Sequence, residues 1–179
     1  EEDRYIIGFE ESYGYLTGSY VRDKDAVDGS LMICEMFAYY KTHGQSLLDV
    51  LNGLYAKYGY CLNTLHSYEF EGAEGFAKMQ GIMETFRNDC PAGWVGHKIL
   101  SVSDYRESVT RYADGCKVAI DLPKSNVLKY QLEGNLSVVV RPSGTEPKLK
   151  MYFSVSAENR DKAQEMEKEF VFEVEQMMA

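Results

Sequence analysis

The stretch Leu128-Lys129-Tyr130-Gln131-Leu132-Glu133-Gly134-Asn135-Leu136-Ser137-Val138-Val139-Val140 alternates apolar and polar residues on both sides of a Gly-Asn step, and its reading decides the fold. Side chains alternate across a pleated strand with period two, so Leu128, Tyr130 and Leu132 share one face, as do Leu136, Val138 and Val140 on the return. Gly134-Asn135 reads as a two-residue hairpin turn. Downstream, Leu149, Met151, Phe153 and Val155 alternate with Lys148, Lys150, Tyr152 and Ser154. The pattern predicts three antiparallel strands with one buried face. From about Asn159 to Met177, Ala163, Met166, Phe170, Val174 and Met177 recur at helical spacing, which predicts a helix lying on that sheet. Its other face, rich in Arg160, Asp161, Lys162, Glu165, Glu167, Lys168 and Glu169, is a solvated charge surface.

Between the second and third strands lies Arg141-Pro142-Ser143-Gly144-Thr145-Glu146-Pro147-Lys148. Two prolines fix φ at its margins, and Gly144 lets backbone approach a ligand closely. Arg141 can grip two phosphate oxygens at once, Ser143 and Thr145 offer hydroxyls, and amides around Gly144 can point at an anion. On turn chemistry alone the segment reads equally as a phosphate-holding loop or as a hairpin turn with incidental polar residues.

Working outward from the sheet, Phe76, Met79, Met83 and Phe86 predict a helix over Gly72 to Arg87, broken by Pro91-Ala92-Gly93. Gly96 to Tyr105 reads as a strand, and Tyr60 to Phe70 as an extended segment leaving a preceding unit. The boundary is placed near residue 70, giving regions 1–70 and 71–179, the second of them α+β. In the first region, Tyr5 to Phe9 reads as a short buried strand opening into Glu10-Glu11-Ser12-Tyr13-Gly14-Tyr15. Carboxylates there can accept from sugar hydroxyls and a serine can donate or accept, although a solvated turn is the alternative. Asp25 is the expected N-cap of a helix from about Ala26 to Lys41, apolar enough that most of it should be covered. Ser46-Leu47-Leu48-Asp49 has the order of a capping box and opens a second helix ended by Gly59.

Composition limits what the chain can do. A formal net charge of −9 argues against a general nucleic-acid or anionic-membrane surface, so an anionic ligand needs local donors. The longest apolar runs fall well short of the roughly 20 residues of a membrane helix, and the expected compartment is the cytoplasm. Cys34, Cys61, Cys90 and Cys116 form no Cys-x-x-Cys pair and are expected to be buried thiols. No metal site is expected among these residues. His43, His66 and His97 stand in no nucleophile motif.

With both loops placed, the chain resembles the C-terminal part of the α-D-phosphohexomutases, the phosphoglucomutase and phosphomannomutase family. Gly8-Phe9-Glu10-Glu11-Ser12-Tyr13-Gly14 is similar to the sugar-binding loop of that family's third domain, and Arg141 to Pro147 to the phosphate-binding loop of its fourth. Lys24-Asp25 is similar to a Lys-Asp pair that follows the sugar loop. The resemblance implies the end of an α/β third domain over residues 1–70. Over 71–179 it implies a fourth domain with a TATA-box-binding-protein-like fold, a helix-backed antiparallel sheet. It implies that Glu10 and Ser12 bind sugar hydroxyls, that Arg141, Ser143, Gly144 and Thr145 bind the phosphate that is not transferred, and that Lys24 is a candidate for a substrate or proton-transfer contact. It further implies a hexose phosphate substrate, a hexose bisphosphate activator, Mg2+ and a phosphoserine, the last two on domains missing from this sequence. Asp23, Asp25 and Asp28 do not match the metal loop. The chain by itself is therefore expected to be inactive, with the missing N-terminal domains as its partners. The Ser12-Tyr13-Gly14 ending favours glucose over mannose phosphate. A non-catalytic phosphosugar-binding regulatory module is the alternative.

Overall fold

In the computed structural model, which describes residues 4–10, 13–144 and 147–178, the chain divides into two units, Glu1–Lys57 and Tyr58–Ala179. The first holds strands β1 (Ile7–Phe9) and β2 (Tyr15–Thr17), then helices α1 (Ala26–Thr42) and α2 (Leu47–Tyr58). The strands pair antiparallel, with Gly8 opposite Leu16. Asp25 caps α1 as expected, its carboxylate accepting from the Val27 amide at 2.9 Å and the Asp28 amide at 3.1 Å. The capping box also forms. Ser46 donates its amide to Asp49 at 3.1 Å, and Asp49 donates its amide to the Ser46 hydroxyl at 3.1 Å. Two further bonds were not expected: Asp28 accepts from the Thr17 amide at 2.7 Å and the Thr17 hydroxyl at 2.6 Å, fastening β2 to the first turn of α1.

Burial in this unit departs from the sequence reading. Along α1 only Gly29 is buried, while Val27, Leu31, Ile33, Met36 and Phe37 are exposed. Ile7 and Phe9, expected in a buried strand, are exposed as well. The physical reason is plain: β1 has one strand neighbour and the helices have no layer over them among the described residues. The thiols follow suit. Cys34, Cys90 and Cys116 are exposed and Cys61 is half-buried, so the expectation of four buried thiols fails.

The second unit contains β3 (Tyr60–Glu69), α3 (Gly72–Asn88), β4 (Gly93–Trp94), β5 (His97–Asp104), β6 (Val109–Tyr112) and β7 (Lys117–Ala119). It continues with β8 (Leu128–Leu132), β9 (Leu136–Pro142), β10 (Lys148–Ala157) and α4 (Arg160–Gln176). All pairings are antiparallel, in the order β3-β10-β9-β8-β5-β6-β7, with β4 attached to β5. This is the predicted α+β sheet. One strand was misplaced by the sequence reading. Residues 60–69 do not belong to the first unit but pair along β10, from Tyr60 opposite Ala157 to Glu69 opposite Lys148. The division thus falls between Lys57 and Tyr58 rather than near residue 70.

The hairpin register also differs by one residue. Leu132 pairs with Leu136, so the turn spans residues 133–135 with φ of 76° at Gly134 and 60° at Asn135. A two-residue turn would set Glu133 against Leu136 and turn one strand's apolar face to water. Burial decides the register. On the covered face, Tyr130, Val138, Met151 and Phe153 meet Met83 and Phe86 of α3 and Phe170 and Val174 of α4 in one core. The rings interlock edge to face, with centroids 4.9 Å apart for Trp94 and Tyr130 and 6.1 Å for Phe153 and Phe170. The Tyr130 hydroxyl donates to the Phe86 carbonyl at 2.5 Å, and burial pushes its pKa well up. Asp104, fully buried at the end of β5, accepts from Arg87 Nε at 2.9 Å, while Arg87 also donates to Asn126 at 2.7 Å and to Glu84 at 3.0 Å. That network joins α3 to the sheet with each charge partnered, as a buried ion pair must be.

Candidate functional site

The loop of the first unit is built by a short hairpin. β1 delivers the chain to Glu10, whose amide donates to the Gly14 carbonyl at 2.8 Å, and β2 takes it up at Tyr15. The Asp25 amide donates to the Tyr15 carbonyl at 2.8 Å, which draws the approach to α1 alongside the loop. Arg22, Asp23 and Lys24 thereby line, with Glu10 and Gly14, a cavity of about 220 Å³. The Lys24 ammonium lies 2.7 Å from Asp23 Oδ1 and 3.6 Å from Glu10 Oε1. Its hydrogen bond to Asp23, and then the charges of Asp23 and Glu10, raise its pKa, and the same bond lowers that of Asp23. Glu10, expected at sugar hydroxyls, and Lys24, expected at a substrate or proton-transfer contact, lie side by side here. Ser12, expected to bind a hydroxyl, lies outside the described residues, as does Glu11. Tyr13, at the loop tip, has φ of 65° and is 87% exposed.

The second loop is the turn between β9 and β10. Arg141 pairs with Lys150 and Pro142 with Leu149, and the Ser143 amide donates to the Lys148 carbonyl at 2.7 Å to close the turn. Alternate residues Val138, Val140, Leu149 and Met151 are fully buried, so the strands that carry the loop are anchored in the core. Arg141 is exposed, and its guanidinium forms no hydrogen bond or ion pair with any described residue. Gly144 has neither a left-handed backbone nor any atom within 4 Å of where a Cβ would stand, so the space beside it opens outward. Thr145, expected to offer a hydroxyl, lies outside the described residues.

Sequence reasoning missed the braces. The Phe70 amide donates to the Pro147 carbonyl at 2.9 Å, and Lys148 Nζ lies 3.1 Å from Glu69 Oε1, so the end of β3 holds the far side of the phosphate-type loop. A signal existed only in the strand pairing, which joins residues far apart in sequence. Arg22, which lines the cavity, sits in a charged run with no motif of its own to mark it in the sequence. Among the described residues no group of three or more His, Cys, Asp or Glu side chains is placed to hold a metal ion. The three aspartates weighed against a metal loop are each engaged: Asp23 with Lys24, Asp25 with the helix cap and the Tyr20 hydroxyl, Asp28 with Thr17.

Comparison with known proteins follows the same two units. The family model described as phosphoglucomutase/phosphomannomutase, alpha/beta/alpha domain III, matches residues 1–58, and that of the C-terminal domain of the same family matches residues 101–171. A phosphoglucomutase of Staphylococcus epidermidis is 38% identical over 162 residues, covering 89% of this chain and 29% of that protein. A phosphoglucomutase of Staphylococcus aureus strain USA300 is 38% identical over 162 residues, covering 90% of this chain and 29% of that protein. Among solved structures, the open form of the Paramecium exocytosis-sensitive phosphoprotein parafusin, a phosphoglucomutase, covers 93% of this chain and 29% of its own at a TM-score of 0.58 and 16% identity. That likeness speaks to the fold. The chain thus spans 29% of the length of the relatives it matches.

Proposed function

Because the chain belongs to the phosphoglucomutase/phosphomannomutase family, we propose that it is the substrate-holding C-terminal part of a mutase that interconverts hexose 1-phosphate and hexose 6-phosphate. Glu10 and Ser12 receive sugar hydroxyls, and Arg141, Ser143, Gly144 and Thr145 receive the phosphate that stays in place. Phosphoryl transfer depends on positioning and charge neutralisation, so residues that grip the sugar and the idle phosphate contribute without touching the transferred group. Lys24, whose ammonium the neighbouring carboxylates hold charged, suits an electrostatic contact with substrate better than proton transfer. Glucose phosphate is the favoured substrate, since the relatives matched are phosphoglucomutases. The regulatory-module reading is not favoured for the same reason. The exposed apolar faces of α1 and α2 are what the remaining layers of an α/β domain would cover.

The family implies Mg2+ and a phosphoserine, and the described residues do not fit the metal: no acidic cluster is free to hold it. Both groups belong to other parts of the full-length mutase, as does the hexose bisphosphate activator's chemistry. The chain by itself is expected to give no turnover of glucose 1-phosphate. No helix among the described residues is long and apolar enough to cross a membrane, and a cytoplasmic enzyme is the reading we adopt.

The observation that carries the proposal is Arg141, a guanidinium with no hydrogen bond or ion pair to any described residue, on a turn anchored by buried strands and braced by β3. A planar fork meets two phosphate oxygens at once, and lysine does not reproduce it. In an amide-shift titration of this chain with phosphate, residues 141–148 are expected to move with millimolar affinity, about 4 kcal/mol of binding free energy. Arg141→Lys is expected to lose most of it. If those amides stay still while others move, or if the lysine variant titrates like the parent, the assignment fails.

A further inference from the structure

Gly14 is buried, yet its φ is not positive, so no left-handed turn demands glycine there. Space demands it instead. A Cβ on residue 14 would fall 2.1 Å from Lys24 Cδ, 2.8 Å from Lys24 Cγ and 3.2 Å from Glu10 Oε2. The volume that a side chain would need is filled by the aliphatic stem of Lys24, whose ammonium emerges 3.6 Å from Glu10 and 2.7 Å from Asp23. We propose that Gly14 is a positioning residue of the sugar loop, its missing side chain forming the slot through which Lys24 crosses the loop and holds the Glu10 carboxylate ready for a sugar hydroxyl. This inference rests on the function proposed above and names how its hydroxyl-reading carboxylate is fixed.

The argument is one of pre-organisation. Glu10 and Lys24 are both about half-exposed side chains, 51% and 49%, and free rotamers would have to be ordered each time substrate bound. Threading the lysine stem through a buried slot orders one partner in advance, and its ammonium then biases the other. A methyl group at residue 14 would displace a flexible stem rather than backbone, so the chain should still fold. What it would lose is the aim of Lys24, and with it the placement of Glu10.

The test is a cycle of Gly14→Ala, Lys24→Ala and the double variant, made in the full-length mutase and in this chain. In the mutase, Gly14→Ala is expected to lower kcat/KM for glucose 1-phosphate about tenfold and to narrow the preference for glucose over mannose phosphate. Phosphate binding at residues 141–148 stays unchanged. Lys24→Ala empties the slot, so adding Gly14→Ala to it should change kcat/KM less than twofold. In this chain, the Glu10 side-chain carboxyl resonance should shift alike in all three variants. Independent, multiplying effects of the two substitutions would overturn the inference, as would an unaltered Gly14→Ala enzyme. Should Gly14→Ala fail to fold, the double variant must fold, since the obstructing stem is gone; its failure would show that something other than Lys24 fills the slot. A wild-type protein without mutase activity would refute the proposed function alone, and the Glu10 resonance would still decide the Gly14 slot.

Discussion

The two units of this chain keep their shape by different means. In the second, Tyr130, Phe153 and Phe170 are buried to within 1% of complete exclusion and interlock with two helices over a sheet. In the first, the only described residues that are buried are glycines, Gly14 beneath Lys24 and Gly29 beneath Tyr15. Its order comes from half-buried and exposed hydrogen bonds: Asp28 on Thr17, Asp25 on the α1 cap, Asp49 on Ser46. Apolar burial is worth more per residue than exposed polar contacts, which exchange water for protein at small net gain. The phosphate-type loop therefore stands on a rigid base, while the sugar-type loop stands on clasps that a single substitution can open.

The sharpest way to break that contrast is to remove one ring from each unit. Phe170→Ala is expected to destabilise the second unit by about 3–5 kcal/mol, because it deletes a fully enclosed ring and leaves a cavity. Phe37→Ala, on the exposed face of α1, is expected to change stability by less than about 0.5 kcal/mol. Urea unfolding of both variants, followed by tyrosine fluorescence and far-UV dichroism, reads the difference. A comparable loss in both would mean that α1 is packed in solution and that the contrast is false.

A smaller effect sharpens it. Asp28→Ala takes both partners from Thr17, leaving an amide and a hydroxyl on β2 without acceptors. The expected cost is about 1–2 kcal/mol, confined to the junction of β2 and α1. Amide exchange at Thr17 should quicken roughly tenfold, while Val138 and Phe153 in the second unit keep their protection. Faster exchange at Val138 would mean that the two units open together.

What the sequence made legible follows the same division. The strands around Gly134-Asn135 and the final helix could be read because each carries its own buried stripe, and that stripe is covered within the chain. Residues 60–69 were recognised as extended but assigned to the wrong unit, since the partner of Tyr60 is Ala157 and nothing local announces a pairing that distant. The apolar residues of α1 were read as covered, which assumes a covering layer that the described residues of its unit do not supply. Both candidate loops are singled out in the sequence by their donors and acceptors. The role of Gly14 was not, because a glycine needed for space looks the same in sequence as one needed for a turn.

The smallest expected effect lies in acid, and it again separates the units. Asp25 is held below the usual aspartate value of 3.8, chiefly by the Asp28 amide and then by the Tyr20 hydroxyl, and Asp49 is held below it chiefly by the Ser46 hydroxyl. A carboxyl with a folded pKa below its unfolded one adds stability that is present above the unfolded value and is lost as pH falls through the folded value. These helix caps should therefore be indifferent between pH 7 and about 4 and weaken only below that. Tyr20 sits at the opposite end of the scale, raised to about 12 first by its bond to Asp25, so its contribution is present below about pH 10 and is lost as pH rises through about 12. Because all three groups face solvent, the change in overall stability should be slight and smaller still in salt. The measurement is an acid titration of backbone amides. Val27, Asp28 and Ser46 should inflect together below pH 3.8 while Val138 and Phe153, in the interior of the sheet, hold their shifts. Inflections of the cap amides at or above that value would show that the caps are not formed as described. A single transition shared by cap and sheet amides would show that polar clasps and apolar core are one cooperative structure, and the distinction between the units would go with it.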